Sequence, residues 1–296
     1  MRGLFNKLLQ LRQQRDEVCG INRRNVELVY RYNPRRYYPL ADDKLIAKEY
    51  LAKGGVAVLD NLAVCANLGE VPQFVTQLSK HEQFVIKPAR ASGGRGLVVV
   101  CEQSDTTTWR TVSGATVTGS DLGRHAANIV YGVYSKDRAD RAFAEPRVVP
   151  HPVYAEFWSA GLCDIRVITV KGRAVLSMVR VPTLRSQGRA NLHQGGLGLA
   201  VDLETGRTTR AVHRGQSITL HPESKASLLG IQLPAWSEVL RVAELSAASV
   251  PLGYLGVDLV VDEHARVWVL EINVRPGLEI QNVTGTGLGV ALERAS

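Results

Sequence analysis

The chain has 296 residues, of which 45% are hydrophobic and 22% charged, the balance of an ordinary globular protein with room for one large domain or two modest ones. No run of about 18 apolar residues occurs, and the opening Met1-Arg-Gly-Leu-Phe-Asn-Lys-Leu-Leu is too short and interrupted for a signal peptide. A transmembrane helix is therefore not expected, and the protein reads as cytoplasmic. The net charge of +8 asks for an anionic partner; nucleotide phosphates, an acidic peptide and RNA all satisfy it.

In chain order, Leu4, Phe5, Leu8, Leu11, Arg15 and Val18 recur at near-helical spacing. They predict a short amphipathic helix over 4–18 that packs on the body of the protein, with a membrane-surface helix as the alternative. Arg23, Arg24, Arg31, Arg35 and Arg36 follow, interleaved with Tyr30, Tyr32, Tyr37 and Tyr38. A solvated surface segment is the plainer reading; nucleic-acid binding is the other, less expected one. Asp42-Asp43 offers an N-cap for a helix from Lys44 that stops at Gly54-Gly55. Apolar runs at 84–87 and 97–101 flank a glycine-rich loop and predict a strand–loop–strand hairpin. A helix is expected over 120–134, strands over 165–170 and 174–181, and an amphipathic helix over 236–249. Strands at 255–261 and 267–272 close the pattern, joined by a turn around Asp262-Glu263-His264-Ala265. Strands thus come in antiparallel pairs between helices, which predicts an α+β fold. Cys19, Cys65, Cys101 and Cys163 are scattered without a C-x-x-C pair and read as buried thiols.

The loop Lys87-Pro-Ala-Arg-Ala-Ser92-Gly93-Gly94-Arg95-Gly96 has the chemistry of an anion cradle. Glycines permit positive φ and let backbone N–H groups approach phosphate oxygens, and Lys87 adds a charge beside them. It is neither a Walker loop nor a Rossmann fingerprint, because a strand rather than a helix follows. A plain β-turn accounts for such a hairpin equally well. Near the C-terminus, Glu271 and Asn273 alternate on one strand and so share a face, and Asp258 lies on the strand before them. Two carboxylates and a carboxamide on one face make a hard-oxygen site of the kind Mg²⁺ uses; a polar face turned to solvent is the alternative.

Taken together and in this order, these segments resemble the ATP-grasp superfamily, and within it the alpha-L-glutamate ligase-like group, related to the ribosomal protein glutamate ligase. Cys163-Asp164-Ile165-Arg166 is similar to that group's C-D-I-R stretch. Arg189-Ala-Asn191-Leu-His193-Gln-Gly195-Gly196 is similar to R-x-N-L-H-x-G-G, and Glu271-Ile-Asn273-Val-Arg275-Pro-Gly277-Leu-Glu279 to E-V-N-x-x-P-G-L-E. The resemblance covers roughly 42–290. It implies an α+β ATP-grasp fold, with two α+β subdomains gripping ATP between them and a reduced N-terminal region. The expected divisions are an N-terminal helix and basic segment at 1–41, a small subdomain with the glycine-rich lid at 42–145, and a large subdomain with the metal-binding strands at 146–296.

Carried over residue by residue, the resemblance implies that Lys44 and Lys87 contact ATP phosphates while Ser92, Gly93, Gly94 and Gly96 close over them. Glu145 falls where adenine and ribose are met. Asp258, Glu271 and Asn273 would hold Mg²⁺, with Mn²⁺ as a substitute. Arg166, Arg180, Arg189 and Asn191 would line the γ-phosphate and carboxylate side, where guanidinium forks suit both anions. His193 would serve as a base for an amine, orient a phosphate, or make a structural hydrogen bond. The implied activity is an ATP-dependent carboxylate–amine ligase, glutamate ligase-like, joining a small-molecule acid to an amine or acidic peptide through an acyl phosphate. A different acid from a sugar or cell-surface pathway, a kinase and a catalytically silent ATP-binding partner are the alternatives, and a homo-oligomer is left open.

Overall fold

The computed structural model describes residues 18–157, 161–186 and 188–295. Apart from Val18, the helix expected over 4–18 lies outside these residues. The first labelled helix, α1 (Lys44–Lys53), ends as the glycine pair demands, with Gly55 at φ 77°. The chain forms two units, one of residues 43–45 and 59–149, the other of 46–58 and 150 onward together with the segment before 43.

The smaller unit contains β1 (Ala63–Cys65), helix α2 (Val71–Leu78), β2 (Phe84–Pro88), β3 (Val98–Asp105), β4 (Thr108–Thr111), β5 (Thr116–Thr118), helix α3 (Gly119–Val130) and β6 (Ala142–Pro146). Its sheet runs β1-β6-β2-β3-β4-β5, every neighbouring pair antiparallel. Phe74 and Leu78 of α2 and Leu122, Ala126 and Ile129 of α3 bury against Phe84, Ile86, Val100 and Trp109 of the sheet. Thr118 caps α3: its Oγ1 accepts from Asp121 N, and Asp121 Oδ2 accepts from Thr118 N in return. The helix expected over 120–134 stops at Val130. Gly132 at φ 87° then turns the chain through a segment where Lys136 and Asp137 also take positive φ.

The larger unit is built on β7 (Asp164–Val170), β8 (Arg173–Val181), β9 (Leu197–Val201), β10 (Thr208–His213), β11 (Gln216–Ile218), β12 (Tyr254–Val261) and β13 (Val267–Asn273). The order is β11-β10-β9-β8-β7-β12-β13, again antiparallel throughout. Helix α4 (Trp236–Ala248) lays Val239, Val242 and Ala243 into its core, and α5 (Glu279–Thr284) and α6 (Leu288–Ala295) pack against β8. All eight residues of β12 are buried, Asp258 included. A carboxylate in that position needs partners in its own sheet.

The basic, aromatic segment is more than a solvated surface stretch. It is helical from Ile21 to Tyr32, with a π-helical turn at Asn25–Val29, and buries Leu28, Val29 and Tyr38. Arg24 Nη1 donates to the Pro276 carbonyl at 2.8 Å. Asn33 Nδ2 donates to Tyr254 O at 2.7 Å while its Oδ1 accepts from Tyr254 N at 2.9 Å. These polar side chains satisfy backbone groups at one end of the large sheet, which is why they are buried. Among the described residues no helix is long and apolar enough to cross a membrane.

Candidate active site

In the smaller unit the glycine-rich hairpin forms as its sequence demands. Strands β2 and β3 pair from Phe84↔Val100 to Ile86↔Val98, and Gly93, Gly94 and Gly96 all sit at φ near +70°. Both ends of the loop are tied down. Lys44 Nζ donates to the Ala91 carbonyl at 2.6 Å, and Lys44 N donates to Ala89 O at 2.9 Å. Asp43, almost fully buried, accepts from Arg141 Nη2 at 2.8 Å and Arg90 Nε at 3.1 Å, fixing the strand end beside it. Downstream, the Gly96 carbonyl accepts from His125 Nε2 at 2.9 Å. Ser92 is exposed between these anchors.

Lys87 on β2 and Glu145 on β6 are brought together by neighbouring antiparallel strands, and the ammonium makes an ion pair with Glu145 Oε1. Both side chains are largely buried, so each holds the other's charge in place. The resemblance gave these two residues separate duties; the structure shows them in direct contact.

In the larger unit a row of charged side chains runs across four adjacent strands. The register sets Arg180 opposite Asp164, Arg166 opposite Asp258, and Asp258 opposite Glu271, with Asn273 two residues further along β13. Arg166 grips Asp258 with both arms, Nε to Oδ1 at 2.7 Å and Nη2 to Oδ2 at 2.6 Å. Arg180 holds Asp164 through Nε at 2.6 Å and Nη2 at 2.7 Å, and the same Nη2 reaches Asp258 Oδ2 at 2.7 Å. Asn273 Nδ2 lies 3.3 Å from both Asp258 Oδ2 and Glu271 Oε1.

Three carboxylates thus face two guanidiniums, and two of them, Asp164 and Asp258, are shifted in opposite directions. Burial pushes Asp164 up to about 6: Arg180 only partly offsets the burial, and Asp258 adds to it. Burial would raise Asp258 as well, but Arg166 and Arg180 outweigh it and hold that carboxyl down at about 2. Asp258, Glu271 and Asn273 supply two carboxylates and a carboxamide, a donor set whose chemistry fits Mg²⁺, while both Asp258 oxygens are engaged by Arg166 and Arg180. Among the described residues, no cluster of three or more His, Cys, Asp or Glu side chains is arranged to hold a metal. The Asp258–Glu271–Asn273 set has two carboxylates, its third donor being an amide.

Arg189, Asn191 and His193 are not on these strands but on the loop between β8 and β9. Asn191 Oδ1 accepts from His193 N at 3.0 Å and caps a 3₁₀ turn, Leu192–Gln194, closed by Gly195 at φ 102°. The Asn191 side chain thus has a structural task. His193 lines a cavity of about 210 Å³ together with Arg214 and Glu279. No hydrogen bond among the described residues joins Arg189 or His193 to the Arg166–Arg180 row. Two participants had no role assigned from sequence. Asp164 was visible only as a member of the C-D-I-R motif, and Asp43 only as an N-cap.

A family model described as sugar-transfer associated ATP-grasp matches residues 23–295. Among solved structures, the chain is similar to a biotin carboxylase from Campylobacter jejuni at 15% identity and a TM-score of 0.50, covering 83% of this chain and 42% of that one. It is also similar to the biotin carboxylase domain of the Hydrogenobacter thermophilus 2-oxoglutarate carboxylase (14%, TM-score 0.48, 88% and 46%). A third is the D-alanine-D-alanine ligase from Coxiella burnetii (14%, TM-score 0.47, 86% and 56%). The chain spans less than two thirds of the length of each. At 15% identity the likeness to the first of these concerns the fold, and it agrees with the family match: an α+β ATP-grasp fold. No curated protein is significantly similar in sequence.

Proposed function

Because the chain belongs to the sugar-transfer associated ATP-grasp family, we propose that it is an ATP-dependent carboxylate–amine ligase whose acid or amine comes from sugar or cell-surface metabolism. The observation that carries the reading is the four-strand row of Arg166, Arg180, Asp258, Glu271 and Asn273, with guanidinium forks and hard oxygens on one sheet face. The motif around Arg189–Gly196 and that ending at Glu279 support a second reading within the same chemistry, an amino acid such as glutamate as substrate.

A carboxylate is a poor electrophile, so amide formation at neutral pH requires activation. Attack of the carboxylate on the γ-phosphate of ATP yields an acyl phosphate and ADP; attack of an amine on the acyl carbon then expels phosphate. Positioning and charge stabilisation supply most of the catalysis. Lys44 and Lys87 would bind phosphate oxygens, and the backbone N–H groups of Ser92–Gly96 would close over them and keep water off the acyl phosphate. Glu145 would keep Lys87 in position. Asp258, Glu271 and Asn273 would hold Mg²⁺, which would supply neutralisation of the charge on the transferred phosphoryl group. Arg166 and Arg180 would orient those ligands, and Arg189 and His193 would serve the acid and the incoming amine.

The test is ADP release from ATP and Mg²⁺ with a panel of sugar acids and amino acids, each with and without amino sugars, simple amines and acidic peptides. ADP that appears only when acid and amine are both present, with a matching mass gain on the amine, supports the ligase and names its substrates. ADP with an acid alone indicates a kinase if the acid is left phosphorylated, or a leaky acyl phosphate if free phosphate accumulates. Absence of ATP binding refutes the proposal.

A further inference from the structure

The glycine-rich loop of the smaller unit is held at its downstream end by a contact that neither the motif nor the proposed chemistry requires. His125 lies on α3, and its ring is mostly buried. The Gly96 carbonyl can only accept, so Nε2 carries the proton in the 2.9 Å contact and Nδ1 is left as an acceptor. The Tyr134 hydroxyl lies 3.3 Å from that Nδ1 and donates to it. The two rings pack at 5.3 Å between centroids. Burial also lowers the His125 pKa, which keeps the ring in the neutral form this arrangement needs. Tyr134 covers Gly96 so closely that a Cβ there would come within 2.7 Å of its ring carbons, and φ is +71° besides.

We infer that His125 and Tyr134 form a latch that sets the hinge of the glycine-rich loop, so that only Ser92–Arg95 moves when the loop closes on nucleotide. The upstream hinge is the Lys44–Ala91 contact at 2.6 Å. Between the two hinges lie Gly93 and Gly94 at positive φ and the exposed Ser92 and Arg95, with Arg95 Nε donating to Ser92 O over a long 3.4 Å. His125 is a positioning residue: it acts on the loop's backbone and on no reacting atom. A short mobile span between fixed ends costs less ordering entropy on nucleotide binding than a fully free loop. The inference rests on reading the loop as the one that covers ATP phosphates.

Two measurements separate this inference from the ligase reading. The first is amide hydrogen exchange without nucleotide, which needs no activity, on wild type, His125→Leu, His125→Gln and Tyr134→Phe. Leu removes the donor at similar size, Gln restores an N–H of similar reach, and Phe keeps the ring over Gly96. The second is MgATP affinity of the same four proteins. The expected result is faster exchange confined to 92–97 in His125→Leu and a roughly three- to tenfold loss of MgATP affinity, the worth of one neutral hydrogen bond. His125→Gln should restore both, and Tyr134→Phe should fall between. Unchanged exchange at 92–97 in His125→Leu would overturn the latch. So would faster exchange spread evenly over α3 and the sheet, or a failure of Gln to restore what Leu removes. If the latch holds but no acid and amine pair supports turnover, the ligase reading fails alone.

Discussion

At Asp258 a carboxylate that is 1% exposed is answered by two guanidiniums, Arg166 on the adjacent strand and Arg180 on the one beyond it. Removing one of them leaves a buried charge without its full complement. Arg166→Ala should therefore lower the unfolding free energy by about 3–5 kcal/mol in urea titration; a loss under about 1 kcal/mol would show that water replaces the guanidinium. Two of the row's three acids, Asp258 and Asp164, have opposite pH signatures. Asp258 is depressed, so its stabilising contribution is complete above the ordinary carboxyl pKa and is lost only as the pH falls toward about 2. Asp164 is raised to about 6, so the folded state binds the extra proton between the ordinary value near 4 and about 6, and stability falls as the pH climbs through that window. The melting-temperature difference of Asp164→Asn relative to wild type should accordingly become more favourable from pH 4.5 to pH 7. A difference that stays constant would mean that Asp164 titrates normally. Lys87→Ala and Glu271→Ala should each abolish ATP turnover with an unchanged circular dichroism spectrum. Full activity in both would show the residues to be misassigned.

At the scale of elements, the glycine-rich hairpin and the β12–β13 pair were legible in sequence, because each alternates apolar residues around a turn signal. Glu271 and Asn273 are two residues apart on a strand, and their common face follows from that spacing alone. Beyond the grouping of Asp258 with Glu271 and Asn273, the partnerships across strands were not legible, and the reason is the bulges. Strands β7 and β8 pair as Val170↔Arg173, and without an irregularity Asp164 would stand opposite Val179. A shift between Ile168 and Thr169 sets it opposite Arg180 instead. A second shift, between Asp258 and Leu259, sets Asp258 opposite Glu271. One extra residue in a strand reverses which face its side chains take, and no composition signal announces it. The pairing of Lys87 with Glu145 was hidden for a related reason, since β6 is a short strand of mixed residues placed beside β2 by topology. The same element supplies a stability prediction. Gly96→Ala combines positive φ with a clash against Tyr134, so it should lower the melting temperature, whereas Ala at Gly55, where φ is positive but nothing lies within 4 Å, should cost less. Equal effects would remove the steric part of the argument.

For the whole molecule, a charge of +8 suits an enzyme whose substrates carry phosphate and carboxylate groups, and it raises their encounter rate more than it sets their identity. Replacing Arg189 should raise the KM for the acid or lower kcat by more than replacing Arg23, which sits in an exposed i,i+4 pair with Glu27; equal, small effects would place Arg189 among the surface charges. The proposed ligase chemistry turns on activation of a carboxylate by ATP. Its most direct measurement follows ¹⁸O from a labelled carboxylate, using whichever acid supports ADP release, into the phosphate set free when the amine is present. One labelled oxygen per phosphate released is the predicted result, because the acid oxygen that attacks phosphorus departs with it. Unlabelled phosphate, or release of AMP and pyrophosphate, would contradict the acyl-phosphate route and the function built on it.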